Sequence, residues 1–278
     1  MTTATKSKPK NTAAEIDWMA TFTEAMNAPG ALGNTYNRFY NYSLLNQIRL
    51  MMQGLLEPVA TYNRWTELGR QVRKGSHAKS VLAPVLVTKI VTDDNGKAKI
   101  VDGKPVKRQV LIGFRDSRTV FGFSDTDGDE LPEIEIPAWS SERALAALDV
   151  SRVAFAEIDG NRQGYSYEDD KGRHVAINPV AVYPVKTMLH ELAHLVLGHC
   201  KAKEGEIHRG IAEFEAEATA YLVAKEIELA AWDPAESRKY IDGWLTHEGH
   251  RDDDRTEVTD KSIGRIFSAA NKILVAGR

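Results

Sequence analysis

The sequence contains a single cysteine, Cys200, among its 278 residues. One thiol can form neither an intramolecular disulfide framework nor a cysteine-rich zinc site, and a lone cysteine is typical of proteins in the reducing cytosol. The chain also lacks an uninterrupted apolar run long enough to span a membrane. Its first residues, MTTATKSKPKNTAAEIDW, lack the apolar segment of a secretory signal. We therefore expect a cytoplasmic protein.

The composition is that of an ordinary globular protein, with 42% hydrophobic and 27% charged residues. A chain of this length accommodates two modest domains or one large domain. Its charge is unevenly distributed, because residues 1–110 contain 16 basic and 8 acidic residues, whereas the remaining 168 residues contain 20 basic and 31 acidic ones. The basic front half predicts a polyanionic partner; the alternative is an uneven distribution that arose by chance.

The front half is predicted to combine helices with long strands. Residues 1–12 are polar and show no periodicity, which predicts a disordered tail. Helices are expected at about residues 12–26 and in LLNQIRLMM, whose apolar residues follow the helical period. A buried strand is expected at about residues 80–91, and DDNGK predicts a hairpin turn that leads to further strand in VKRQVLIGFRDSRTVFGF.

The segment LPEIEIPAWSS predicts a boundary between a domain at residues 1–135 and a second domain at residues 136–278. The second domain is expected to begin with a helix at about residues 141–148, followed by short strands around residues 153–158 and 174–177. The helix that contains TMLHELAHLVL and two or three further helices complete the chain. Taken together, these elements predict an α+β fold.

One helix of the second domain carries the pattern HExxH between Pro184 and Gly198, which suit the start and the end of a helix. Successive helical residues are about 100° apart, so His190 and His194 share a face and can bind one metal ion. Glu191 lies beside this face, where it can act as the general base for an attacking water. This combination is typical of zinc peptidases. The alternative is an ordinary helix with surface histidines.

A catalytic zinc ion needs a third protein ligand. The following helix, GIAEFEAEATAYLVA, places Glu213 and Glu217 on one face, with Glu215 on the other side. We predict that Glu213 binds zinc and that Glu217 orients a histidine, and the swapped assignment remains open. His199 is predicted to point elsewhere, because it lies five residues after His194. A zinc ion with a purely structural role is a further alternative.

Basic and aromatic residues alternate in YNRWTELGRQVRKGSHAK. Cations neutralise phosphates and aromatic rings stack on exposed bases, so this segment predicts a surface that binds single-stranded nucleic acid. A solvated turn, with the aromatic residues in the core, is the alternative. The residues predicted to contact DNA are Arg64, Trp65, Arg70, Arg73, Lys74 and Lys79.

Three segments resemble a known family. WTELGRQVRKGSHAKSVLAP resembles the signature of the ArdC-type N-terminal single-stranded-DNA-binding domain, in which W-x-x-L-G-x-x-V-R-K-G precedes a buried strand. FGFSDTDGDELP and EFEAEATAYLVA resemble segments of chains that join this domain to a zincin-like metallopeptidase domain of the ImmA/IrrE type. The resemblance covers most of residues 35–225. The chain departs from it at KGSHAK, where a second glycine-lysine step is expected.

The resemblance implies a DNA-binding domain followed by a zincin-like domain with zinc as its cofactor, in a protein of a mobile element or phage. The family's basic motif corresponds to Arg70, Arg73, Lys74 and Gly75, and its zinc motif to His190, Glu191 and His194. The expected function is a zinc peptidase that is coupled to single-stranded DNA and acts on a protein substrate. The alternatives are an antirestriction protein that masks DNA without catalysis, and a protease specific for a repressor.

Two further expectations concern the substrate of such a peptidase. An edge strand can bind an extended peptide, and we expect RHVAIN either to serve as that strand or to be a plain core strand. Tyr165, Tyr167 and Tyr183 are equal candidates for stabilising the oxyanion.

Overall fold

Helices and strands are both present in the computed structural model, which describes residues 16–38, 40–92, 96–132, 135–156, 161–201, 208–246 and 257–278. The helices are α1 (Trp18–Asn27), α2 (Leu32–Tyr36), α3 (Leu44–Met52), α4 (Tyr62–Glu67), α5 (Ser141–Ala147), α6 (Pro184–Leu197), α7 (Arg209–Glu226), α8 (Ala235–Thr246) and α9 (Asp260–Gly277). The strands are β1 (Val59–Thr61), β2 (Arg70–Val72), β3 (Lys79–Ile90), β4 (Ile100–Val101), β5 (Lys104–Pro105), β6 (Lys107–Gly122), β7 (Thr126–Gly128), β8 (Val150–Arg152), β9 (Gly164–Asp169) and β10 (Gly172–Ile177). The predicted α+β class is confirmed.

Most predicted elements of the front half are present. The helix in LLNQIRLMM is α3, and the strand expected at about residues 80–91 is β3. The first helix begins at Trp18, later than expected, with Asp17 accepting a hydrogen bond from the backbone N–H of Ala20. The predicted tail at residues 1–12 and the first three residues of DDNGK lie outside the described residues.

A long antiparallel hairpin dominates the front half. Strands β3 and β6 pair over the whole length of β3, and β6 also pairs with β1, so β6 is the central strand of its sheet. Between the end of β3 and the start of β6, the chain forms the short antiparallel β4–β5 pair. A second small ribbon joins β2 to β7. The hairpin therefore presents much of its length to solvent.

The sheet of the rear half has the order β8–β10–β9, with β10 parallel to β8 and antiparallel to β9. Of the two alternatives for RHVAIN, the plain core strand is confirmed, because β10 is hydrogen-bonded on both sides. The edge strand that follows it in this order is β9, whose segment GYSYED has too few apolar residues to be recognised as a strand. The strand expected at about residues 153–158 is absent from residues 153–156, because β8 ends at Arg152, and residues 157–158 lie outside the described residues.

Helix α7 lies at the centre of a hydrophobic core that includes residues of α1, α3, α6 and α9. Its many alanines let neighbouring helices approach closely, and it is buried on most of its circumference. Phe22 of α1 contacts Phe214 of α7 and Phe267 of α9 edge-on, with ring centroids 6.2 and 6.3 Å apart. This core crosses the boundary proposed near residue 135, and the boundary itself remains a prediction. No helix in the described ranges is both long and apolar enough to cross a membrane.

Trp65 belongs to the core of the front half. Its side chain is 0% exposed, and its indole N–H donates a hydrogen bond of 3.0 Å to the carbonyl oxygen of Phe121. The prediction that Trp65 stacks on DNA bases is therefore wrong, because no face of the ring is available to a ligand.

Replacing Trp65 with alanine is expected to lower the free energy of unfolding by about 3–5 kcal/mol, because a large buried ring leaves a cavity. Urea denaturation followed by circular dichroism measures this loss. Tyr62 is the matched control, since it lies three residues earlier on the same helix and is exposed. The Tyr62→Ala variant should stay within about 0.5 kcal/mol of wild type. Similar losses in the two variants would contradict the assignment of Trp65 to the core.

Candidate metal centre

The two histidines of the HExxH pattern lie together on α6. This helix begins at Pro184 and ends at Gly198, whose left-handed backbone (φ 79°) terminates it. Its apolar side, which includes Leu189 and Leu192, is buried in the core. The opposite side carries His190 and His194, whose Nε2 atoms are 3.1 Å apart. The spacing of four residues has therefore placed both rings at one point, as the sequence predicted.

Helix α7 packs against α6 and contributes the third group. The Oε2 atom of Glu213 lies 3.3 Å from Nε2 of His190 and 3.6 Å from Nε2 of His194. Zinc bonds of about 2.0–2.1 Å in a tetrahedron place neighbouring ligand atoms about 3.3 Å apart, which matches this triangle. Within the described ranges, these three residues are the group of histidines, cysteines and acids that can share a metal ion. The donor set fits a divalent metal.

The electrostatics of the site favour a bound cation. Hydrogen bonding with His190 and then His194 lowers the pKa of the Glu213 carboxyl. Burial lowers the pKa of His190, but hydrogen bonds to Glu213 and Glu217 outweigh it and raise this pKa to about 9. The carboxylates thus stabilise positive charge at the point where the three ligand atoms meet.

Glu217 contacts the back of His190 rather than the point where the ligand atoms meet. Its Oε2 lies 2.9 Å from Nδ1 of His190, and both of its oxygens accept hydrogen bonds of 2.8 Å from Nζ of Lys186. A carboxylate on Nδ1 fixes the ring so that Nε2 is free to bind a metal. The geometry therefore favours Glu213 as the ligand and Glu217 as the residue that orients His190.

Glu191 is held by the neighbouring sheet. The hydroxyl of Ser166, on β9, donates a hydrogen bond of 2.7 Å to Oε2 of Glu191. Ser166 was not identified from the sequence, because nothing in GYSYED indicates that β9 lies against α6. The second carboxylate oxygen of Glu191 remains for a proton transfer, so the residue can act as a general base.

Two adjoining clefts of about 530 and 400 Å³ reach the site, and both include His190 and Tyr183. Tyr183 therefore remains a candidate for contact with substrate. Tyr165 and Tyr167 are less suitable, since they form an aromatic stack along β9 that continues to His174. Tyr240 of α8, which the sequence analysis did not single out, lines the larger cleft together with Glu213.

His199 was expected to point away from the metal ligands, and the structure corrects this, because the ring contacts His194. Nδ1 of His199 lies 3.0 Å from Nδ1 of His194, and Nε2 of His199 lies 2.9 Å from Oε2 of Glu215. Because α6 ends at Gly198, the chain turns and brings His199 back beside His194, where a continuous helix would carry it away.

The predicted DNA-contacting residues fall into two groups. Arg70 is buried, donates to the hydroxyl of Thr126 at 2.8 Å and lies over the ring of Phe123, so its assignment to phosphate binding is wrong. Its guanidinium instead ties β2 to β7. The other members are at least partly accessible: Arg64 pairs with Glu67, Arg73 pairs with Asp127, Lys74 is exposed, and Lys79 is half-buried at the start of β3.

Purified protein is expected to bind about one divalent metal ion per chain, and His190→Ala or His194→Ala should abolish this binding. Glu213→Ala should lower the metal content more than Glu217→Ala, because it removes a ligand rather than a residue that orients one. Elemental analysis of gently purified protein measures the content. Metal-free wild type that takes up no added Zn²⁺ would contradict the site, and the reverse ranking of the glutamates would exchange their roles.

Comparison with known proteins places the front of the chain in a family. Residues 10–121 match the family model of the N-terminal domain of the anti-restriction factor ArdC. Among curated proteins no match was found. The chain is similar to a metal-free crystal structure of the antirestriction protein ArdC from the R388 plasmid, with 19% identity, a TM-score of 0.45, and coverage of 94% of this chain and 96% of the other. It is likewise similar to the Mn(II)-bound structure of that protein, with 18% identity, a TM-score of 0.46, and coverage of 95% and 98%. The family model confirms the resemblance for residues 10–121, which are similar to the N-terminal domain of ArdC.

Proposed function

We propose that this chain is an ArdC-type antirestriction protein, in which the front half binds single-stranded DNA and the rear half is a zincin-like, zinc-dependent peptidase. One observation carries the proposal for the rear half. The Nε2 atoms of His190 and His194 and one oxygen of Glu213 form a triangle of metal-ligand size. Beside this triangle, the carboxylate of Glu191 is fixed by the hydrogen bond that it accepts from Ser166.

The residues around the triangle suit the hydrolysis of a peptide bond. A bound zinc ion supplies Lewis-acid chemistry and lowers the pKa of water. Glu191 accepts the proton of the attacking water at the oxygen that Ser166 does not hold, and then delivers it to the leaving nitrogen. Glu213 is the most exposed of the three ligands, with a side chain 42% exposed, so substrate has access from its side. Edge strand β9 lies next to Glu191 and suits pairing with an extended peptide.

In the front half, the surface that fits DNA best is the basic hairpin, which we define as residues 79–122. It contains nine basic and four acidic residues. Its exposed apolar side chains include Leu86, Ile90, Ile112 and Phe114. Cations beside exposed apolar and aromatic surface match the phosphates and bases of an unpaired strand. Of the residues predicted from the sequence to contact DNA, Lys79 is the one that lies in the basic hairpin.

The pairing of the basic hairpin provides independent support. Lys89 of β3 lies directly opposite Arg108 of β6. Like charges in this position destabilise a sheet, and a bound phosphate offsets their repulsion. Phe114 is exposed on the same strand as Arg108 and Arg115, where it suits stacking on a base.

A second candidate function is an antirestriction protein that masks DNA without cleaving any protein. The observation that favours it is the family match, which covers the front half and not the residues of the metal centre. The two functions differ in whether Glu191 is required. A protease specific for a repressor, the third possibility raised by the sequence, requires Glu191 in the same way as the first.

Glu191→Gln is expected to retain the fold and the metal but to abolish proteolysis, because the amide cannot accept the proton while both histidines remain. The measurement compares the proteomes of host cells that express the wild type or the variant, together with their protection of incoming DNA from restriction. A host protein that is cleaved in cells with the wild type but stays intact in cells with the variant supports the peptidase. Unchanged protection and unchanged proteomes would instead favour DNA masking without catalysis.

The DNA proposal is tested with a hairpin variant in which Arg108, Arg115 and Arg118 are replaced by alanine. Each lost phosphate contact should flatten the slope of log affinity against log salt concentration by about 0.7, so the slope should fall by about two units. Titration of labelled single-stranded oligonucleotide at several salt concentrations measures it. Phe114→Ala should weaken binding by about 1–3 kcal/mol at constant slope.

The matched control replaces three exposed lysines of the rear half, Lys239, Lys261 and Lys272, by alanine. This control changes the net charge equally but should leave the slope as in wild type. Equal slopes for the two triple variants, or equal affinity of the wild type for single strands and duplex, would refute the assignment of the basic hairpin.

A further inference from the structure

A chain of three side chains continues outward from His194. His199 lies behind it, Glu215 lies behind His199, and Nε of Arg265 donates a hydrogen bond of 3.1 Å to Glu215. These residues come from the turn after α6, from α7 and from α9. We infer that His199, Glu215 and Arg265 form a positioning relay that holds His194 with Nε2 turned towards the metal. The inference rests on the proposed metal centre.

The order of donors in this relay is fixed at its far end. Glu215 is ionised beside Arg265, so it can only accept, and Nε2–H of His199 must donate to it. When Nε2 of His194 binds a metal, Nδ1 of this ring carries the proton and can only donate, so Nδ1 of His199, 3.0 Å away, accepts. This tautomer leaves the lone pair of His194 on Nε2, the atom that faces His190 and Glu213. The relay thus prepares His194 for coordination.

Burial indicates that the relay does more than satisfy a surface acid. The side chains of Glu215 and His199 are 3% and 5% exposed, and a buried charge is costly unless it is paired. The guanidinium of Arg265 pairs with Glu215 and also donates a hydrogen bond of 2.8 Å to the carbonyl oxygen of Leu197, at the end of α6. The relay therefore fixes the last turn of α6 and the His194 ring together.

The two histidine ligands are oriented differently. His190 contacts the Glu217 carboxylate directly, whereas His194 reaches its carboxylate through a second imidazole. Direct contact between a metal-binding histidine and an acid is the common arrangement. Because His199 lies in the turn after Gly198 and Arg265 lies on α9, the indirect contact of His194 makes metal binding depend on two segments that contribute no ligand.

The test uses the full chain and measures Zn²⁺ affinity by competition with a chelator. His199→Leu and Glu215→Gln should each weaken Zn²⁺ binding roughly 10- to 100-fold, as expected for residues that orient a ligand. His199→Gln retains one acceptor and one donor, so it should recover part of the loss. The visible spectrum of the Co²⁺-loaded protein should change in the same variants, because the ring of a ligand is displaced.

The control is His174→Gln. His174 is also buried and lies 3.0 Å from a carboxylate, that of Asp169, but it belongs to β10 and not to the relay. This variant should bind Zn²⁺ within about twofold of wild type, given the usual size of effects away from a functional feature. Equal weakening by His174→Gln would reduce the relay to a general effect of stability and overturn the inference.

The outcomes separate the relay from the metal centre. Wild type that binds no metal contradicts the metal centre itself. Wild type that binds Zn²⁺ while Glu215→Gln and His199→Leu bind it equally well contradicts the relay alone. If His199→Leu does not fold, Glu215→Gln decides, because it preserves the shape of the side chain.

Discussion

The close packing of α6 against α7 is the constraint on which the site depends. One part of their contact consists of apolar side chains and alanines. The other part consists of two histidines of α6 and two glutamates of α7, namely His190, His194, Glu213 and Glu217. The apolar part stabilises the pair, since burial of such side chains contributes about 1.5–3 kcal/mol each. This apolar contact holds the histidines and glutamates together. If the helices separated, water would hydrate these side chains instead. The α9 helix packs against both and adds Arg265 at the edge of the cluster.

Much of the rear-half site could be predicted from the sequence, because helical geometry is regular. Four-residue spacing alone places His190 beside His194, and the same rule brings Glu213 and Glu217 to one face of α7. The order of Glu213 and Glu217 required the distances between the helices. The position of His199 could not be predicted, because the helical angle of 100° per residue no longer applies after Gly198. Ser166 could not be identified, because its strand shows no apolar alternation.

In the front half, residue type was a poorer guide than burial. Trp65 and Arg70 have the chemistry of a nucleic-acid surface, yet one fills the core and the other ties two strands. Tertiary packing decided their role, and no local pattern reports it. The basic hairpin was read as strand from its sequence, but its exposure followed only from the register of β3 and β6 and from the absence of a covering layer over much of the described part of the hairpin.

The central claim is that one metal ion joins α6 to α7. The most direct measurement is a crystal structure of protein grown with Zn²⁺, with anomalous data collected on both sides of the zinc absorption edge. The account predicts one anomalous peak about 2.0–2.2 Å from Nε2 of His190, Nε2 of His194 and an oxygen of Glu213. Glu217 should remain on the far side of His190. A peak bound through Glu217 in place of Glu213, or no peak between these helices, would contradict it.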